Sequence, residues 1–117
     1  MATNMSKHFP YPYLQVRCRI HDRIFNASGL VDTGFDGGLV IPASQARGLP
    51  EPPRQVIVRL GDGSITRTAE FVGAISLGNK RMLVTVMFLG SEYLIGRQIV
   101  DQLRLCFHYG RYLEIEE

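Results

Sequence analysis

In a chain of 117 residues, the tripeptide Asp32-Thr33-Gly34 is where side-chain type and spacing could do chemistry. Hydrolysing a peptide bond without a metal or a covalent nucleophile requires a water to be deprotonated and a leaving nitrogen to be protonated almost together. Two carboxylates that share one proton do both, provided they lie close enough for like-charge repulsion to keep one of them protonated. The chain holds a single Asp-Thr-Gly, so the second carboxylate must come from another copy, with both Asp32 side chains meeting on a two-fold axis. Thr33, short and hydroxylated, can brace the two loops across that axis. Gly34 lets the backbone pass close to the carboxylate and offers it an N–H. The bland reading of the same tripeptide is a turn, which Asp and Gly both favour, so what decides between the two is where the neighbouring elements put it.

Those elements read as short strands. Tyr13 to Ile20 alternates, with Leu14, Val16, Cys18 and Ile20 on one face and Gln15, Arg17 and Arg19 on the other. After a turn near His21 and Asp22, Arg23 to Val31 runs extended and delivers the chain to Asp32 at its end. Leu39-Val40-Ile41 is a further apolar strand, and Pro42 and Gly48 bracket one or two helical turns. Gln55 to Leu60 and Ile65 to Val72 flank Gly61-Asp62-Gly63-Ser64, the clearest hairpin in the sequence. Gly73 to Leu77 reads as a separate strand, and Arg81 to Leu89, apolar on both faces, as a central or interface strand. Tyr93-Leu94-Ile95-Gly96-Arg97 precedes a helical candidate from Gln98 to Leu103, and a last hairpin turns at Gly110. Roughly eight strands and two short helices at this spacing predict an all-β barrel or closed sheet in one domain. Residues 1–12 read as a flexible lead-in and 13–117 as the domain, Met1 to Lys7 being polar and without periodicity. Leu30 to Gly34 and Tyr93 to Gly96, two apolar runs ending in glycine, hint at a two-fold internal plan.

Composition excludes other function classes. The net charge is +2 and the 13 Lys and Arg are scattered, which does not make a track for a phosphate backbone, so no nucleic-acid partner is expected. No signal-peptide core and no long apolar run occurs, and Cys18 and Cys106 lack a C-x-x-C spacing. The expectation is a cytoplasmic protein with reduced, structural thiols and no membrane partner. Gly61 to Ser64 lacks the ligand offsets and terminal Glu of a calcium loop. His8, His21 and His108 stand far apart with no Glu or Cys at ligand spacing and read as surface or partly buried histidines. No metal or cofactor is therefore expected, and the serines lack the surroundings of a nucleophile elbow.

Taken in order, Leu30-Val31-Asp32-Thr33-Gly34, the Leu60-Gly61-Asp62-Gly63-Ser64 hairpin and Leu94-Ile95-Gly96-Arg97 before a short helix resemble the retropepsin-like aspartic proteases, the single-domain family of retroviral proteases and their bacterial relatives. The resemblance runs from Leu14 to Ile115. It implies a closed acid-protease barrel with one or two short helices, active as a homodimer held by terminal strands that include Leu113 and Ile115. It implies an aspartic endopeptidase acting on peptide or protein substrates, with Asp32, Thr33 and Gly34 as the catalytic motif. Phe35, Asp36 and Ile95 would contact substrate, and Gly61, Asp62, Gly63 and Ser64 would form a flap that grips an extended peptide by β-augmentation. Asp36 and Arg97 would form an ion pair that, with Gly96, buttresses the catalytic loop. Phe35 departs from the small residue usual in retroviral members, and the polar Asp62 and Ser64 from their flap tip. These departures motivate the other reading, a catalytically weak or inactive module of the same fold that dimerises or binds peptide.

Overall fold

Period-two patterning builds most of the molecule. The computed structural model describes residues 7–116. Its elements in chain order are β1 (Lys7–Pro10), β2 (Tyr13–Ile20), β3 (Arg23–Val31), β4 (Leu39–Ile41), a 3₁₀ turn (Ala43–Ala46), β5 (Arg54–Arg59), β6 (Ile65–Leu77), β7 (Lys80–Phe88), β8 (Leu94–Ile95), α1 (Arg97–Val100), β9 (Arg104–His108) and β10 (Tyr112–Glu116). In β2 the alternation is complete, with Leu14, Val16, Cys18 and Ile20 buried and the residues between them exposed. The strand therefore lays one face on the core and the other on water.

Six strands close a barrel in the order β2-β3-β8-β4-β7-β6, with β6 returning to β2 through Arg17–Ser76, Cys18–Ile75 and Arg19–Ala74. Closure leaves no free edge within the ring. β5 hangs outside it as an edge strand paired only to the first half of β6. β7 lies between β4 and β6, and its last residues, Val86, Met87 and Phe88, are all buried, which explains a sequence that is apolar on both faces. The core holds Leu14, Cys18, Leu39, Ile75, Val86 and Ile95, none more than 1 % exposed. Phe88 meets Phe25 and Phe71 edge-on at 5.8 and 5.6 Å between centroids. Burial pushes the Cys18 thiol up to about 12, so it stays neutral and unreactive. Both cysteines are free thiols. Among the described residues no helix is long and apolar enough to cross a membrane.

Three expectations change. Gly73 does not begin a new strand, because β6 runs unbroken for 13 residues. A Cβ at Gly73 would come within 2.6 Å of Cys18 Sγ and 2.7 Å of Val86 Cγ2, so the glycine lets the strand cross close over the core. Of the lead-in read as flexible, residues 1–6 lie outside the described residues, and Lys7–Pro10 is an ordered strand antiparallel to β10. Leu113 and Ile115 are 0 and 2 % exposed, packed into their own chain's core. β10 is the middle strand of a second sheet, β1-β10-β9, so both its edges are already hydrogen-bonded. It has no main-chain edge to offer a second copy, and only the outer edges of β1 and β9 remain.

Candidate functional site

Asp32 follows directly on β3, and its position is set by an unusual strand order. β3 runs parallel to β8, with Leu30 opposite Leu94 and Val31 opposite Ile95, while the other edge of β8 pairs antiparallel with β4. The strand entering the loop and the strand leaving it thus lie on either side of β8 rather than beside each other. The two glycine-ended runs are neighbours in space. Main-chain bonds then pin the loop from both sides: Asp32 N–H donates to Ile95 O at 2.9 Å, Gly96 N–H to Gly38 O at 2.8 Å, Arg97 N–H to Phe35 O at 2.8 Å and Gln98 N–H to Gly37 O at 3.0 Å. Within the loop Phe35 N–H donates to Asp32 O at 3.2 Å, and Gly34 N–H donates to Asp32 Oδ1 at 3.0 Å. One carboxylate oxygen is therefore fixed by a backbone donor. Asp32 is half-buried, and Thr33 and Gly34 are exposed on the outer side of the loop.

The seam between loop and helix admits no side chain at Gly96. A Cβ there would overlap Gly37 O and come within 2.5 Å of the Phe35 ring. Gln98 docks α1 on the barrel, its Oε1 accepting from Thr85 N–H at 2.8 Å. Sequence reading missed Gln98 and Thr85, because a side chain that satisfies a strand N–H 13 residues away leaves no local pattern.

The expected Asp36–Arg97 ion pair does not form. Arg97 opens α1, and its Nε lies 3.5 Å from Asp101, one turn on, while Asp36 is exposed. The loop is joined to the helix by Arg97 through its main chain instead. Ile95 is likewise not a contact surface: it is 0 % exposed and faces the core.

A cleft of 640 Å³ opens beside the loop, bordered by Gly34, Phe35, Asp36 and Gly37 on one side and by β5, Val56 to Arg59, on the other, with Arg97 and Gln98 at its end. Arg54 and Glu70, paired at 2.6 Å across β5 and β6, also border it. Gly34, Phe35 and Asp36 thus line the cleft, whereas Asp32, Thr33 and Ile95 do not. Neither do Gly61, Asp62, Gly63 and Ser64, since they form the tip of the β5–β6 hairpin beyond it. The tip is a closed polar turn, with Asp62 Oδ1 accepting from Ser64 N–H at 2.9 Å and Ser64 Oγ–H at 2.6 Å, and Gly63 at φ +88°. Those bonds hold the Asp62 carboxyl below its usual range. A separate groove of 560 Å³ on the outer barrel face, bordered by Arg17, Arg19, Ile24, Arg81 and Leu83, shares no residue with this cleft.

Two of the three histidines read as standing far apart are brought together by the second sheet, while keeping the surface or partly buried placement expected of them. His8 and His108 lie 6.4 Å apart between ring centroids, on either side of Glu114. Cys106 is directly opposite Glu114 in the register. Among the described residues, Cys106, His108 and Glu114 present atoms able to hold a metal ion, all within 4.8 Å of one another. Cys106 and His108 share a face of β9 through their spacing of two, and strand pairing brings Glu114 to them.

Compared with models of known protein families and with curated proteins, the chain matches none of them.

Proposed function

We propose that two copies of this chain form a retropepsin-like aspartic endopeptidase, with one Asp32 from each meeting on the two-fold axis. The observation that carries the reading is the mounting of Asp32. It stands at the end of a barrel strand, in a loop clamped by four main-chain bonds from residues 95–98, with one oxygen held by Gly34 and the outer face of the loop open. Such a loop is rigid enough to hold two like charges close, and exposed enough to meet its twin.

In the dimer one Asp32 carboxylate, deprotonated, takes a proton from a water whose oxygen adds to the peptide carbonyl. The other, protonated, gives its proton to the carbonyl oxygen. Collapse of the resulting gem-diol breaks the C–N bond as the nitrogen takes a proton, leaving a carboxylic acid and an amine. Thr33 of each copy braces the loops. Substrate lies extended in the cleft and adds to the free edge of β5, whose main-chain groups bond it irrespective of its side chains.

The decisive measurement is peptide-library cleavage by the dimer and by Asp32→Asn. The substitution keeps shape and removes the carboxylate, so cleavage falls by about 10²–10⁴-fold or more while dimer and fold persist. An Asp32→Asn protein that cleaves as fast as the parent refutes the reading. A parent dimer that neither cleaves nor binds a transition-state mimic replaces it with the inactive peptide-binding module.

A further inference from the structure

On β10, Leu113 and Ile115 point inward, so Tyr112 and Glu114 point outward between them. The register sets His8 of β1 and Cys106 of β9 on either side of Glu114, and His108 opposite Tyr112 one step along. A thiol, two imidazoles and a carboxylate therefore converge on one outer patch of the β1-β10-β9 sheet. His108 Nε2 lies 2.6 Å from Glu114 Oε1, and His8 Nε2 lies 3.7 Å from Glu114 Oε2. Glu114 and His108 side chains are 17 and 27 % exposed and His8 is 58 % exposed, so the carboxylate and one imidazole are recessed and the other imidazole reaches solvent. The Tyr112 ring stacks on His108 at 4.4 Å with 12° between planes and packs on His8 at 4.5 Å, which holds both imidazoles before any ligand arrives.

We propose that His8, Cys106, His108 and Glu114 form a four-ligand site for a zinc-type divalent ion, tying the N-terminal strand to the C-terminal hairpin. With metal–ligand bonds of about 2.0–2.3 Å, ligand atoms around a tetrahedral ion stand about 3.3–3.7 Å apart. The His8–Glu114 separation of 3.7 Å fits one edge of the tetrahedron, and His8, outside the close group of Cys106, His108 and Glu114, takes the fourth position by closing in. The 2.6 Å His108–Glu114 contact opens as the ion replaces the proton held between them. Cys106 closes in from within 4.8 Å by side-chain rotation and releases its thiol proton to solvent. The donor set selects the metal: one soft thiolate and two imidazoles suit zinc or cobalt, whereas calcium and magnesium need several oxygen ligands and here find one carboxylate. The site is independent of Asp32, so it stands or falls apart from any peptidase activity.

The test uses the full-length chain, stripped with a chelator and kept under a thiol-free reductant. Titrating cobalt gives saturation at one ion per chain, with a thiolate-to-cobalt charge-transfer band and the intense visible spectrum of tetrahedral coordination. Zinc displaces the cobalt and raises the unfolding temperature by about 5–10 °C. Cys106→Ser loses the charge-transfer band. His108→Ala weakens zinc affinity by about 100-fold, the exposed His8→Ala by about 10-fold, and His21→Ala leaves it unchanged. Absence of saturable binding up to about 1 mM metal, or saturation of the parent without a thiolate band, overturns the site with no recourse to variants. Parental zinc affinity retained in both Cys106→Ser and His108→Ala overturns it as well.

Discussion

For Asp32 to serve as half of the proposed dyad its oxygens must stay aimed across the axis, and the loop that carries it depends on a missing side chain. Gly96 lies where β8 gives way to α1, and a Cβ there would overlap Gly37 O, an atom of the same loop that carries Asp32. Backbone cannot retreat as a flexible side chain would, because Gly37 O is also bonded by Gln98 N–H at 3.0 Å. Gly96→Ala is thus expected to cost about 1–3 kcal/mol in stability, by overpacking. It should also lower kcat/KM, since the displaced loop both carries Asp32 and, through Gly34 to Gly37, borders the cleft. Urea unfolding and steady-state kinetics on one preparation separate the two effects. A variant of parental stability and turnover would show that the seam has slack. Arg97, by contrast, acts through its main chain, and its exposed pairing with Asp101 at 3.5 Å adds little.

Among the elements, those written in local alternation were legible in the sequence. β2, β3, β4, β5 and the start of β6 fall within a residue of their expected bounds, because each is fixed by its own pattern of inward and outward side chains. Position in the barrel was not legible, since it depends on partners far along the chain. Gly73 read as a breaker and is a packing residue under Cys18 and Val86. β1 read as a loose end and is paired to β10, more than 100 positions later. At the site, Asp32 and Gly34 were evident from the motif, while the Asp36–Arg97 pair was expected by resemblance and is replaced by main-chain bonds. The β5–β6 hairpin carries its own test. Its tip depends on Gly63 at φ +88°, a conformation that costs a residue with Cβ about 1–2 kcal/mol. Space is not what the glycine provides, since a Cβ at Gly63 meets no atom within 4 Å. Gly63→Ala should therefore lower stability by no more than that strain, about 1–2 kcal/mol, while loosening the turn that holds β5 in place and raising KM. Kinetics with an extended peptide would show this, and an unchanged KM would mean that the tip has no part in holding substrate.

At the scale of the whole molecule, a single chain presents one Asp32, and its terminal strands are already folded onto themselves, with β10 enclosed between β1 and β9. In the proposed dimer, two copies would meet by the exposed side of the Asp32 loop and by strand edges other than β10. Such a dimer can form and exchange without unfolding either barrel. Exchange gives a test that depends on the number of chains per site and on nothing else. Let parent chain at fixed concentration, well above the dimer dissociation constant, be mixed with an equal amount of Asp32→Asn and allowed to equilibrate. If each site needs both carboxylates, random pairing leaves only parent–parent dimers active, and activity falls to about half its starting value. A site complete within one chain predicts no change. Dilution of the parent supplies the complementary limb: specific activity should decline as dimers dissociate, and joining two copies through a flexible linker should abolish that decline by raising the effective concentration of one half-site near the other.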